Sequence, residues 1–447
     1  MLTFLYRAGW ALVRTAAPLA ATGDGKFARA VRGRHRGAAA LADWASLHRD
    51  TARTLVWFHA ASVGEGRQAE AVLVRLRAVR PEWQIVYANA SASAESLARS
   101  LPVDFAGYVP ADTVEDTALA LGALSPRALI FSATDLWPEL VRQAAGRGVR
   151  LGLTSATLAP TSSRRGALAR AFLHDTYAAL DAVGAIDESD ATALTELGVR
   201  KAVITITGDT RHDAAAARVA AIDRTSPALR ALGEAGVPLL VAGSTWPDDE
   251  RVLLPAVALL RAALPLRLVI APHEPTPEHL TDLERRLAIN LPGAAVVRLS
   301  ALESDPGAAA ACRLPPASHS RLPPAAWDVC IVDRVGILAD LYAAASVAFV
   351  GGGFHEAGLH SVIEPAALGV PVVFGPRWHS SRDARLLLET GGGTSKASSD
   401  AIAAALGGWL EDTDAREAAG AAARAVVESG LGAADRSVQL VIALVEG

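Results

Sequence analysis

The stretch Ala348-Phe349-Val350-Gly351-Gly352-Gly353-Phe354-His355-Glu356-Ala357-Gly358-Leu359-His360-Ser361-Val362-Ile363-Glu364-Pro365 reads as a buried strand running into three glycines and then into a helix. The helix is expected to begin near His360, with Pro365 in its first turns. Glycines let the backbone approach a ligand closely, and a helix start offers unpaired N–H groups and a partial positive charge. A phosphate suits such a place, and Glu364 is placed to accept hydrogen bonds from a ribose. The plainer alternative is a tight turn with a capped helix. Three adjacent glycines beside His, Ser and Glu favour a ligand loop.

Outward from this stretch, β-branched apolar runs alternate with Ala/Leu/Arg-rich runs of helical period. Strands are expected at Thr54–Ala60, Gln84–Ala88, Ala128–Ser132, Arg150–Thr154, Ala182–Ile186 and Val203–Ile206. A second series follows at Pro238–Ala242, Leu266–Ala271, Ala295–Leu299, Val329–Val332, Val347–Gly351 and Val370–Phe374. Intervening helices such as Arg67–Val79, Pro138–Arg147 and Asp248–Ala263 make this an α/β chain. Strand–helix alternation implies parallel sheets covered on both faces. Two series imply two Rossmann-like, doubly wound domains, expected over 1–215 and 216–425. A helical segment, 426–447, is expected to cross back to the first. Residues Glu303–Pro324, rich in Pro, Ala and Ser, read as an inserted surface loop. Ligands of open parallel sheets bind beyond the carboxyl ends of the strands, so two such domains facing each other make one cleft.

Three more loops fall at strand ends. Gly243-Ser244-Thr245-Trp246-Pro247-Asp248-Asp249 offers Ser244 or Thr245 as a helix cap or as a phosphate ligand. His273, in Ala271-Pro272-His273-Glu274, is either a base or phosphate contact or a polar loop end. In Trp57-Phe58-His59-Ala60-Ala61-Ser62-Val63-Gly64-Glu65, Glu65 opens a helix. There it favours the helix dipole or serves as a base for an acceptor hydroxyl. No Gly-x-Ser-x-Gly elbow and no convincing metal-ligand spacing is present.

The 447 residues hold 43 basic against 47 acidic groups, a net charge of −4, which argues against a general nucleic-acid binder. Two cysteines, Cys312 and Cys330, exclude a disulfide framework and fit a reducing cytosol. No segment approaches 18 uninterrupted apolar residues, so no transmembrane helix is expected. At the N-terminus, Leu2, Phe4, Leu5, Trp10, Leu12 and Val13 are punctuated by Arg7 and Arg14, an arrangement unlike a signal peptide. Lys26, Arg29, Arg32, Arg34, His35 and Arg36 follow. Such a pair suits an anionic bilayer surface, by apolar insertion plus charge; the alternative is a helix packed on its own domain.

These motifs together resemble the bacterial 3-deoxy-D-manno-octulosonic acid (Kdo) transferases of lipopolysaccharide biosynthesis. The resemblance covers nearly the whole chain. It rests on Trp57–Glu65, Asp135-Leu136-Trp137-Pro138, Gly208-Asp209-Thr210-Arg211-His212-Asp213 and Gly243–Trp246. It continues through Ala271–Glu274, Asp333-Arg334-Val335-Gly336-Ile337-Leu338, Gly351–Phe354, Gly358–Glu364 and Phe374-Gly375-Pro376. It implies the GT-B architecture and an inverting glycosyltransferase needing no metal or other cofactor. The donor CMP-Kdo would lie in the second domain, with Ser244, Thr245, His273, Gly336, Gly352, Gly353, His360, Ser361 and Glu364 around phosphate and ribose. Ser62 and Gly64 would line the first domain's side. A lipid A precursor would be the acceptor, met at the cytoplasmic face of the inner membrane, with Arg29, Arg32, Arg34 and Arg36 toward acceptor and membrane.

The chain also departs from the family. Where members carry a catalytic-base Glu in Gly-Glu-Arg-x-Gly, this chain reads Gly33-Arg34-His35-Arg36-Gly37, and Arg34 cannot act as a base. The family's Glu-Thr-Glu-Leu-Trp-Pro is Ala133-Thr134-Asp135-Leu136-Trp137-Pro138, and its His-Asn pair is His360-Ser361. Three explanations stand open: Glu65, Asp135 or His35 replaces the base; the acceptor differs; or the chain is a weakened paralogue. The rival functions are another GT-B enzyme acting on a UDP-sugar, a transferase or 2-epimerase, and a silent nucleotide- or lipid-binding protein.

Overall fold

The computed structural model describes residues 2–232, 236–304 and 327–447. Most of the expected Pro-rich loop, from 305 to 324, and Cys312 lie outside the described residues. The chain divides into two compact units, Met1–Ala214 with Gly430–Gly447, and Ala215–Ser429.

The first unit is built on seven parallel strands: β1 (Leu55–Ala60), β2 (Gln84–Asn89), β3 (Phe105–Tyr108), β4 (Ala128–Ser132), β5 (Arg150–Ala156), β6 (Ala182–Ala185) and β7 (Ile204–Ile206). Their spatial order is β3-β2-β1-β4-β5-β6-β7. β1 reads as one apolar run because both of its faces are covered. Leu55 and Trp57 pack with Leu41, Leu121 and Leu151 on one side. Val56 and Phe58 pack with Val72, Leu73 and Val441 on the other.

The second unit repeats the plan with β8 (Leu239–Thr245), β9 (Arg267–Pro272), β10 (Val296–Arg298), β11 (Val329–Ile331), β12 (Val347–Val350), β13 (Val372–Phe374) and β14 (Gly393–Ser395). Their order is β10-β11-β9-β8-β12-β13-β14, again all parallel. In each sheet the chain crosses from one side of its first strand to the other once, between the neighbours β1 and β4 and between β8 and β12. Those are the points where open α/β sheets present ligands.

Two strands escape the sequence expectation. β3 contains a glycine and is only half-buried, and β14 is Gly-Thr-Ser; both are short edge strands without an apolar run. The helix after the glycine loop spans only Ile363–Ala367, so it begins three residues later than expected and His360 and Ser361 precede it. The terminal segment is two helices, Thr413–Ser429 and Ala433–Glu446, broken where Gly432 adopts φ +84°. Asp213 holds the second of them, accepting hydrogen bonds from the Gly432 and Ala434 amides at 3.0 and 2.9 Å. The Gly208–Asp213 motif therefore ties the end of the chain to the first unit.

Three N-terminal helices matter below: α1 (Leu2–Ala20), α2 (Lys26–His48) and α3 (Val63–Val79). Gly33 and Gly37 seat α2 on Tyr108. A Cβ on Gly33 would fall 2.4 Å from that ring, and one on Gly37 2.7 Å from the Tyr108 carbonyl.

Candidate active site

In the second unit the loops after β8 and β12 lock together. β8 bulges between Gly243 and Thr245, and Ser244 adopts φ +54°, a left-handed conformation that costs a non-glycine residue strain. The glycines of the second loop are forced by close backbone approach. A Cβ would lie 2.3 Å from the Ser244 carbonyl oxygen at Gly351, 2.2 Å from the Gly358 carbonyl oxygen at Gly352, and 2.5 Å from the Gly375 amide at Gly353. Asp249 is the clasp. Its Oδ2 accepts from the Gly352 and Trp246 amides at 2.7 and 2.9 Å, and its Oδ1 from the Phe354 amide at 3.0 Å. Two amides that the sequence offers to a phosphate are thus spent on a buried carboxylate of the protein itself. Burial raises the Asp249 pKa, and the three amide donors oppose that rise.

Neither Ser244 nor Thr245 caps the following helix, so of the two readings open for these residues the cap does not hold. Trp246 occupies the cap position of Pro247–Ala263, and the buried Thr245 hydroxyl donates to Glu250 Oε1 at 3.2 Å. Around the clasp stands a stack of four rings. Trp246 lies 4.1 Å from His355 at 5° between planes and 4.8 Å from His273, while His273 lies 4.3 Å from His360. Trp246 Nε1 donates to His360 Nε2 at 2.9 Å. Burial, with His273 and His355 nearby, lowers the His360 pKa to about 4, so it is neutral at physiological pH and free to accept. Beyond it, Ser361 Oγ donates to Glu364 Oε2 at 2.6 Å. The structure therefore brings Ser244, Thr245, His273, Gly352, Gly353, His360, Ser361 and Glu364 to one end of one sheet. Gly336 (φ +92°) is held more peripherally, its carbonyl accepting from Arg218 at 3.3 Å. Such a floor of flat rings and hydroxyls suits a base, a ribose and a phosphate.

In the first unit the corresponding strand ends carry a second constellation. Ser62 caps α3, and Glu65 Oε2 reaches back to the Ala61 and Ser62 amides at 2.7 and 3.1 Å, completing a capping box. Burial first, and the Asp135 charge second, raise the Glu65 pKa. Asp135 is held by Arg164 at 2.8 Å. His59, fully buried, is fixed as one neutral tautomer. Its Nδ1–H donates to the Ala88 carbonyl at 2.9 Å, and its Nε2 accepts from Trp137 Nε1 at 2.7 Å. Burial drives its pKa to about 3, with the Arg34 charge adding to the fall.

Arg34 faces into this group, its guanidinium 4.1 Å from the Trp137 ring centre and 4.7 Å from that of Trp10. His35, one residue on, is exposed, whereas Glu65 and Asp135 are half-buried. Of the arginines read as acceptor contacts, Arg29 and Arg36 are exposed. Arg32 instead donates to the Ala21 and Gly23 carbonyls at 3.0 and 2.7 Å, closing the turn between α1 and α2. Ser62 and Gly64 lie exposed at the α3 start. Sequence reasoning missed Asp249, His355, His59 and Asp112. Two of the three Asp249 partners, Gly352 and Phe354, lie more than a hundred residues away, and no local spacing marks the contact. Among the described residues no group of three His, Cys, Asp or Glu is placed to hold a metal ion.

Two doubly wound units with ligand-type loops at both switch points define the GT-B class of glycosyltransferases and sugar-nucleotide epimerases. A UDP-GlcNAc 2-epimerase from Neisseria meningitidis, solved with UDP-GlcNAc, superposes over 88% of this chain and 100% of its own with a TM-score of 0.60 at 14% identity, a likeness of fold alone. The profile of the family described as 3-deoxy-D-manno-octulosonic-acid transferase (kdotransferase) matches residues 34–214. The 3-deoxy-D-manno-octulosonic acid transferase of Chlamydophila psittaci is 30% identical over 345 residues, 76% of this chain and 73% of that protein. The one from Bordetella pertussis is 29% identical over 380 residues, 81% and 77% of the two chains. The chain belongs to the Kdo transferase family.

Proposed function

We propose that this protein moves Kdo from CMP-Kdo to a lipid A precursor in lipopolysaccharide biosynthesis, working peripherally at the cytoplasmic face of the inner membrane. The observation that carries the reading is family membership over most of the chain. The second unit takes the donor: the ring stack receives the cytosine, Glu364 and Ser361 the ribose, and the loop ends at Ser244 and Gly353 the phosphate. The first unit takes the acceptor. An acceptor hydroxyl attacks the anomeric carbon of Kdo, the bond from that carbon to the phosphate oxygen breaks, and CMP departs with the electron pair. The hydroxyl proton passes to a carboxylate.

Glu65 is the base this reading favours over Asp135 and His35. Its raised pKa lies in the direction a working base needs. Its Oε1 is not used by the capping box, whereas Asp135 is engaged by Arg164.

The membrane reading is supported by α1, whose polar side is turned inward. Tyr6 bonds Asp112 at 2.6 Å, Arg7 pairs with Glu139 at 2.9 Å and Arg14 with Asp116 at 3.0 Å. Its outward face carries Leu2, Phe4, Leu5, Leu12 and Val13, all exposed, with Phe4 74% exposed. No described helix is long and apolar enough to cross a membrane, and a bilayer surface is what such a face fits.

The test is a transfer assay with CMP-Kdo and a lipid A precursor in detergent, in EDTA, comparing the wild type with Glu65→Gln. The wild type is expected to transfer, and the variant, which keeps the capping oxygen, to lose on the order of 100-fold or more in kcat. Full activity in Glu65→Gln removes the base assignment, and no transfer by the wild type removes the function.

A further inference from the structure

Arg29, Arg32 and Arg36 recur at i, i+3 and i+7 and share one face of α2. Arg34 lies about 140° round the helix from Arg29, and its side chain leaves that basic face. It enters a slot beside two rings packed edge to face on each other, Trp10 and Trp137, whose centres lie 4.7 and 4.1 Å from the guanidinium carbon. Among the described residues, Nε and Nη2 of Arg34 are closed to solvent and have no hydrogen-bond partner. Other arginines of the same unit behave differently: Arg32 reaches two carbonyls, and Arg49 reaches the Leu124 and Arg53 carbonyls. Native proteins seldom leave buried donors such as these two unpaired.

The carboxylates that electrostatically favour the charged Arg34 are committed elsewhere. Asp112 accepts from Tyr6 and from the Glu139 and Leu140 amides, and Asp135 accepts from Arg164. Burial lowers the Arg34 pKa to about 10, so the group remains cationic at neutral pH. Nε and Nη2 are the adjacent pair along one edge of the guanidinium, a fork whose spacing matches two oxygens of one phosphate.

We infer that Arg34 is an oxyanion-binding group, and that it takes a phosphate of the acceptor saccharide on its Nε–Nη2 edge. The inference rests on the proposed function insofar as the first unit binds the acceptor. Because the fork is closed to water here, the inference requires α1, which carries Trp10 and is held by the Tyr6, Arg7 and Arg14 pairs described above, to give way when the phosphate binds. The residue at the family's base position thereby becomes a specificity group for a phosphorylated acceptor.

The test is binding of the full-length protein to acceptor in detergent micelles, followed by calorimetry with no donor present. Wild type, Arg34→Gln and Arg34→Lys are compared on the phosphorylated lipid A precursor and on the same lipid with its phosphates removed. Micelles containing phosphatidylglycerol alone serve as a third ligand. Arg34→Gln is expected to weaken binding of the phosphorylated acceptor by on the order of 10- to 100-fold, and Arg34→Lys, which keeps charge but loses the fork, by less. The dephosphorylated lipid should bind wild type and Arg34→Gln alike, and CMP affinity should not change. An equal loss on both lipids, or no loss, overturns the inference. So does a loss reproduced in full by phosphatidylglycerol, which assigns the group to bulk lipid. If Arg34→Gln does not fold, Arg34→Lys decides alone: unchanged affinity for the phosphorylated acceptor refutes the fork. Phosphate-dependent acceptor binding without Kdo transfer leaves Arg34 as inferred and defeats the proposed function instead.

Discussion

At the scale of single residues, the two loops proposed to take the donor depend on one carboxylate. Asp249 accepts three amides and fixes the glycine loop against the turn after β8. Asp249→Asn keeps the shape but replaces one acceptor oxygen with a donor that faces an amide. CMP affinity is expected to fall at least about tenfold, with a lower melting temperature, since an unsatisfied buried amide costs about 1–3 kcal/mol. Calorimetric titration with CMP checks this.

The two neutral histidines make a pH prediction. His59 and His360 have folded pKa values of about 3 and about 4, below the roughly 6.5 of an unfolded chain. The unfolded state therefore binds more protons in that window. The stability they contribute is complete above about pH 6.5 and is lost as pH falls toward 4 and then 3. Burial-raised carboxylates such as Asp112 and Asp249 act in the opposite sense at the acid end, so the comparison is best made between pH 7 and 5. Urea unfolding across that range should show stability falling with pH, less steeply in His360→Gln; identical slopes would contradict the assignment.

Much of this was legible in the sequence: Ser244, Thr245, His273, the glycines, His360 and Glu364 do meet. The clasp was not, because local spacing marks Asp249 only as an acid in a helix's first turn. Its partner loop is remote along the chain.

At the scale of elements, apolar runs gave away every strand buried on two faces, while the half-buried edges β3 and β14 carried no such signal. Helix Ile363–Ala367 is short because Leu368 and Gly369, the latter at φ +72°, end it before a second turn is complete. For α1, composition showed an apolar helix interrupted by arginines. It did not show that the arginines face inward to Glu139 and Asp116 and leave leucines outside. The expected outcome for Leu5→Glu with Leu12→Glu follows from that inversion. The partition coefficient onto anionic vesicles, read by sedimentation, should drop by on the order of 100-fold or more, since each buried leucine is worth about 1.5–3 kcal/mol, while CMP affinity stays at the wild-type value. Unchanged vesicle binding would return α1's outer face to plain solvent exposure.

At the scale of the molecule, two sheets of the same plan carry different chemistry at their switch points. The second offers stacked rings, hydroxyls and a bent glycine loop; the first offers a raised carboxylate, a neutral histidine and a caged cation. The proposed division of labour between donor and acceptor rests on that difference in side chains, since the backbone plan is shared. The nucleotide decides the matter most directly. Titration of the full-length protein with CMP and with UDP, in EDTA, should give saturable binding of CMP and much weaker binding of UDP. Binding of UDP in preference to CMP, or of neither, would contradict the account.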